Sequence, residues 1–319
     1  MLSRIAQELF WLGRNVARAE HTARMLDGVF QASLQGRPDD PAGVRLGWGS
    51  ILAIMGAVGD GRPVRRDEVL NRMTLDLEEP ASVIACVSRA REGARTMRDV
   101  ISAEMWEAVN TTHLALSAGD LAGRMQMGPY SVFQYVKERS ALFWGLTSRT
   151  MLRDEARAFL EAGGRIESAD MVLRMLRVAM PAADGATSAD GVRDGQALAL
   201  LQAVGGFQAF RRAVPAPANA GPVTRFLLYE RAYPDSVAAS VDAVQHALAD
   251  ADATPRTSEP VLRLSRLAAD LEFRGRAAAE DANLAEACEL VQQELALVDA
   301  DIAERYFAGA GAAAGTVVA

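Results

Sequence analysis

The sequence predicts an all-α protein built as a multi-helix bundle, and three observations lead there. Period-2 alternation of apolar and polar residues is missing, and β-branched residues are scattered rather than clustered. Apolar residues instead return at helical spacing. Ile5, Leu9, Leu12, Val16, Ala19, Ala23, Leu26 and Phe30 advance by alternate steps of four and three, the rhythm of a seam that packs on neighbouring helices. Finally, prolines, glycines and capping serines punctuate the chain at helical rather than strand-like intervals.

Taken in order, Ser3 is placed to cap a first helix running to about Leu34 and ended by "QGRPDDPAG". A second spans about Val44 to Ala57 and stops at "GDGRP". Pro80, tolerated in a first turn, opens a helix to about Ile101. In it Val83, Val87, Ala90, Ala94, Met97 and Ile101 repeat the seam. Ser102 then caps "AEMWEAVNTTHLALS", which ends near Gly119. A long helical segment follows from Pro129, broken or bent around "EAGG" at 161–164. Loops at Pro181 with "AADGATSADG" and at "PAPANAGP" (215–222) precede the last helices.

The two ends of this pattern are related. A shift of 150 residues lays "GRNVARAEHTARML" (13–26) on "GGRIESADMVLRML" (163–176), with five of fourteen positions identical. A shift of 154 lays Val69–Val87 on Val223–Val241, matching Pro80 to Pro234, Ser82 to Ser236 and Val83 to Val237. Two matches in one order point to a degenerate internal duplication of about 150 residues. Residues 1–307 are therefore read as one helical domain in two related halves, about 1–150 and 151–307, before a flexible Ala/Gly-rich tail at 308–319.

With 319 residues, the chain is long enough to bury roughly 75% of its unfolded surface without covalent staples. A net charge of −7 argues against a nucleic-acid or anionic-membrane surface. Cys86 and Cys288 form no CxxC pair and suit a reducing compartment. "MLSRIAQELFWLGRN" has no signal-peptide core, and "WGSILAIMGAVG", at 12 residues, is too short to span a bilayer. The expectation is a soluble cytoplasmic protein.

Catalytic signatures are missing. There is no phosphate loop, no G-x-G-x-x-G after a strand and no G-x-S-x-G elbow. His21, His113 and His246 follow Arg18, Asn110 and Ala243 at three residues, so the Glu-x-x-His signature of dimetal bundles is absent. No metal, no cofactor and no independent catalysis are expected.

Two polar constellations remain. On the first helix, Phe10, Trp11, Arg14, Arg18, His21 and Met25 share an arc nearly opposite the seam, with Glu20 and Arg24 paired at i,i+4 on the flank. That arc suits either a second packing layer or a docking surface in which arginines hold carboxylate or phosphate beside aromatic rings. On the other, Arg91, Arg95 and Arg98 form a row with Glu92 among them, followed by Glu104, Trp106, Glu107 and Asn110. Interhelical salt bridges between row and acids, or a polar groove for an anion, are the two readings. A stand-alone acid/base enzyme using Glu104 or Glu107 is the rival from another class, and a structural or oligomerisation scaffold is the third possibility.

These same stretches carry a resemblance. "MLSRIAQELFWLGRNVARAEHTARMLD", "SRAREGARTMRDVISAEMWEAVN" and "FLLYERAYPDSV" resemble the signatures of the bacterial alpha-E domain family over nearly the whole chain. The resemblance implies an all-helical cytoplasmic protein that works beside a circularly permuted ATP-grasp ligase. Transglutaminase-like peptidases are frequent companions, and the product is an amide-linked peptide. It implies a non-catalytic partner or substrate-binding subunit that holds the ligase or a peptide or amino-acid carboxylate. The positions that match are Trp11, Gly13, Arg14, Arg18, Glu20, Arg24, Arg91, Glu92, Arg95, Glu104, Trp106, Glu107 and Asn110; His21 joins them from the arc. Family members usually repeat glycine-arginine and a glutamate-arginine-alanine-acid run in the second half. Here Gly163, Gly164, Glu167, Ser168, Ala169 and Asp170 stand there, so two arginines are missing, and Ala17 stands where the first half often has glutamate.

Overall fold

The computed structural model describes residues 2–35, 47–57, 64–118, 121–179, 190–277 and 284–308. Among them lie fourteen α-helices and no strand. The predicted breakers "GDGRP" and "AADGATSADG" and the tail beyond Ala308 fall wholly or mostly outside the described residues.

The first helix, α1 (Ser3–Gln35), is central because it is apolar on more than one side. Leu9, Leu12, Ala23 and Leu26 of the seam are buried, and so are Phe10 and Met25 from the opposite arc. A helix buried all round needs neighbours all round. α1 meets α4 (Val83–Thr96), α7 (Tyr130–Thr150), α8 (Glu155–Ala179) and α9 (Asp190–Ala203). With α5 (Ala103–Ser117), the helices α1, α4 and α7 close a ring of four. A second ring repeats the order: α8, α12 (Val237–Ala251), α13 (Glu259–Arg276) and α14 (Leu284–Ile302). The rings meet where α1 crosses α8, and the buried side chains of both form one cluster running from Ala6 to Ile302.

That crossing depends on two glycines. A Cβ added at Gly13 would lie 2.0 Å from the Leu160 carbonyl oxygen, and one at Gly163 would lie 2.0 Å from that of Phe10. Each helix thus rests its glycine on the other's backbone. The "EAGG" stretch is accordingly no break, which corrects the sequence reading: Gly163 and Gly164 sit inside an unbroken α8. The long segment is interrupted earlier, between Thr150 and Glu155. Gly164 makes room for the Trp144 ring, which an added Cβ would approach to 2.4 Å.

Two other boundaries differ from the pattern. Pro80 precedes α4 rather than opening it, because the Ser82 hydroxyl accepts from the Ala85 amide at 3.2 Å and starts the helix there. Ser3 is the first helical residue, and its hydroxyl donates to the Ala308 carbonyl. The Ser102 cap is found as read, accepting from the Met105 amide. Ser236 caps α12 through the Ala239 amide at 3.1 Å, as Ser82 caps α4. Ser82 is fully buried and also donates to the Asp76 carbonyl. Ser82→Ala is therefore expected to cost about 1 kcal/mol. A urea-denaturation midpoint lowered without a change of slope would register it; an unmoved midpoint would count against the cap.

Candidate functional site

The first helix carries its arginines into the crossing. Arg14 donates from Nε to Glu167 at 3.0 Å and from Nη1 to both Asp299 oxygens at 2.8 Å. Arg18 grips the same Glu167, Nε to Oε1 at 2.5 Å and Nη2 to Oε2 at 2.8 Å. Glu167 is 1% exposed and Arg14 8%. The Arg14 guanidinium also lies 5.0 Å from the Trp11 ring centre and 5.7 Å from that of Phe10. Burial alone would raise the Glu167 carboxyl, but Arg18 and Arg14 outweigh it and hold the group down to about 2. Burial pulls both guanidinium groups the other way, and Glu167 more than restores them, with help from Asp299 at Arg14. Arg14, Arg18 and Glu167 all stay charged at neutral pH.

The geometry decides between the two readings of the arc. Arg14, Arg18 and His21 do not form a docking surface; they are turned inward against α8 as a second packing layer. His21 sits within hydrogen-bond distance of Ser168, Nε2 to Oγ at 3.0 Å, and is 5% exposed. Trp11 alone of the arc keeps substantial exposure, at 40%. Cys86 lies beside this layer, and burial pushes its thiol up to about 11 although Arg89 and Arg18 draw it down. At neutral pH it is a neutral thiol rather than a nucleophile.

The flank behaves as its spacing suggested. Arg24 donates to Glu20 Oε1 from Nε at 2.9 Å and from Nη2 at 2.7 Å. In α8, Arg174 and Asp170 make the same i,i+4 pair at 2.7 Å.

The second constellation is brought together at the surface, with different partners from those expected. Arg91 donates to Asn110 at 2.9 Å and to Glu92 at 2.6 Å, and Arg95 donates to Glu92 at 2.8 Å. Arg98 lies 3.8 Å from the centre of the Trp106 ring, with Arg91 at 5.9 Å from it. Glu104 and Glu107 are exposed and form no ion pair among the described residues. The expected row of interhelical salt bridges is therefore corrected. Trp106 and Asn110, one turn apart, face the arginines, while Glu104 and Glu107 are exposed. His113 follows on the same helix, its pKa lowered by partial burial and by Arg91.

Among the described residues no cluster of histidine, cysteine, aspartate or glutamate has the form of a metal site. None of their helices is long and apolar enough to cross a membrane.

The Alpha-E model, described as a predicted alpha-helical domain with a conserved ER motif, matches residues 1–307. The chain belongs to the Alpha-E family. No curated protein and no solved structure matches it. At the α1–α8 crossing the two halves of this Alpha-E chain complement each other. The first half has Arg18 preceded by Ala17, and the second has Glu167 followed by Ser168. Each half thus holds one member of a glutamate–arginine pair, and the crossing joins them. Sequence reasoning missed Asp299, the second acid on Arg14, because it lies 285 residues away in a helix with no distinguishing motif.

Proposed function

We propose that this Alpha-E chain is a non-catalytic helical partner of a circularly permuted ATP-grasp ligase and that the α4–α5 face docks it. One observation carries the choice of face. Trp106 is half-buried against the core with Arg98 over its outer ring and Arg91 near it, whereas Arg14 and Arg18 of α1 are spent inside the protein. Arginine and tryptophan are the residues most enriched where truncation costs binding energy. The exposed Glu104, Glu107 and Arg95 would supply a polar rim around them. The choice of ligase rests on the family resemblance, as does a peptide or amino-acid carboxylate as the material handled. A transglutaminase-like peptidase is the next partner to examine. The scaffold reading has its own support, in the internally paired Arg14 and Arg18, and applies to the crossing rather than to this face.

The test is co-purification of the neighbouring ligase from the native host by the intact chain and by Arg98→Glu/Trp106→Ala. Association is expected to fall at least about tenfold, roughly 1.4 kcal/mol, with helicity unchanged. A variant that keeps both its helicity and its partner would refute the assignment of this face.

A further inference from the structure

The last two helices carry large apolar side chains on two sides. Leu264, Leu267 and Leu271 of α13 and Val291, Leu295 and Val298 of α14 are buried. On the outer side Leu262 and Phe273 of α13 are exposed, Phe273 at 78%, and so are Leu290 and Leu297 of α14. Leu262 and Phe273 are eleven residues apart and Leu290 and Leu297 seven. Both spacings are close to whole helical turns, so each pair lies along one face.

The helices run antiparallel, because Arg263 near the start of α13 pairs with Asp301 and Glu294 toward the end of α14. That register sets Leu262 beside Leu297 and Phe273 beside Leu290, each within about a turn. Exposed Ala269 and Ala296 stand between the two pairs. The central α1, apolar on opposite sides, is covered on both; among the described residues α13 and α14 are covered on one. An exposed apolar band of this kind marks an interface.

Charge decides what fits it. α14 has Glu286, Glu289, Glu294, Asp299 and Asp301 and no lysine or arginine, whereas α13 has Arg263, Arg266, Arg274 and Arg276. Arg263 is engaged by α14 of its own chain and Arg276 by Glu272. Arg266 and Arg274 have no ion-pair partner among the described residues, and Glu289 reaches Arg177 at 4.0 Å. One α14 laid on another would set acid against acid, but laid on α13 it meets arginine. The two faces thus complement each other within one chain, as an isologous interface requires.

We infer that the chain forms a two-fold dimer in which α13 of each copy lies antiparallel on α14 of the other. With the two-fold axis parallel to the helices, each α13 keeps its level. Leu262 then meets Leu297 of the second copy, Phe273 meets Leu290, and Arg274 comes within a turn of Glu289. The helices have 18 and 19 residues, so side by side they present a flat footprint of roughly 500 Å² per copy. Its corrugated accessible area is of the order of the ~800 Å² per partner that a specific interface buries. This face uses different helices from α4–α5, so it stands whether or not that face docks a ligase.

The test is sedimentation velocity of the intact chain from about 0.1 to 100 μM, which spans the usual range of dimer affinities. A monomer–dimer equilibrium is expected for the parent and equally for Arg98→Glu, which separates this face from the docking face. Phe273→Glu and Leu297→Glu, both at exposed positions, should each raise the dissociation constant at least about tenfold with helicity unchanged. Arg274→Glu and Glu289→Arg should each weaken the dimer, and the double variant should regain most of the loss, because the charges are then exchanged in place. A parent that stays monomeric throughout, a dimer that both apolar-face variants leave intact, or charge variants without mutual rescue would overturn the inference.

Discussion

Glu167→Ala is expected to destabilise the protein by about 3–5 kcal/mol, the cost of leaving buried charges without their partner. The carboxylate is 1% exposed and is the shared acceptor of Arg14 and Arg18. Among the described residues its removal leaves Arg18 with no acid in contact and Arg14 with Asp299 alone. Since a folded protein is stable by only about 5–15 kcal/mol, the loss is a large share of the total. Replacing Arg14, Arg18 and Glu167 together by apolar residues of similar volume should return much of it, because the one charge then left unpaired, Asp299, is more than a third exposed to water. Denaturation midpoints of the single and triple variants check this; a triple variant no better than Glu167→Ala would contradict the account.

The same residue sets an acid limit. Its folded pKa, about 2, lies below the ordinary value of 4.5. The unfolded state therefore takes up the proton first as pH falls, and the stabilisation, complete above the ordinary value, drains away toward about pH 2. Glu167→Gln should flatten that part of the stability profile.

The second large effect lies at the crossing glycines. Gly163→Ala and Gly13→Ala are each expected to cost about 1–3 kcal/mol or more. The obstruction is a backbone carbonyl 2.0 Å away in both cases, so no rotamer change relieves it and the two helices must part. Gly145 is the control. It lies exposed in α7 with nothing within 4 Å of an added Cβ, and Gly145→Ala should stabilise by up to about 1 kcal/mol. Thermal unfolding of the three variants is the measurement; Gly163→Ala as stable as Gly145→Ala would refute the close crossing.

What could be read from the sequence follows the range of the interactions. The seams of α1 and α4 were legible because burial there repeats every three to four residues. The Ser102 cap and the Glu20–Arg24 pair were legible because donor and acceptor lie within one turn. The partners of Arg14 and Arg18 were not, since they lie about 150 and 285 residues away. Local pattern could not say whether an arc of arginines and aromatics faces solvent or a second helix. The clue was the complementary α8, where Leu160, Ile166, Met171, Leu173 and Met175 are buried around the helix. A segment with buried apolar residues on more than one side needs neighbours on each of them. Gly163 and Gly164 were misread for a related reason: a glycine that permits close approach looks, in one dimension, like one that ends a helix.

The division of charge at the crossing also bears on self-association. Two chains could in principle exchange partners, the central helix of one pairing with the same helix of another, since Gly13 and Gly163 open equivalent gaps. Pairing α1 with a second α1 would bring Arg14 and Arg18 face to face with their own copies, and Ala17 would stand where an acid is needed. Pairing α8 with α8 would set Glu167 against itself, with Ser168 and Gly164 as its only company from the arginine positions. Both homotypic unions bury like charges together, whereas the mixed pair sets Glu167 between Arg14 and Arg18, with Asp299 of α14 as the second acid. The lopsided sequence of the two halves thus acts as a keying device that makes each central helix prefer the other to its own likeness.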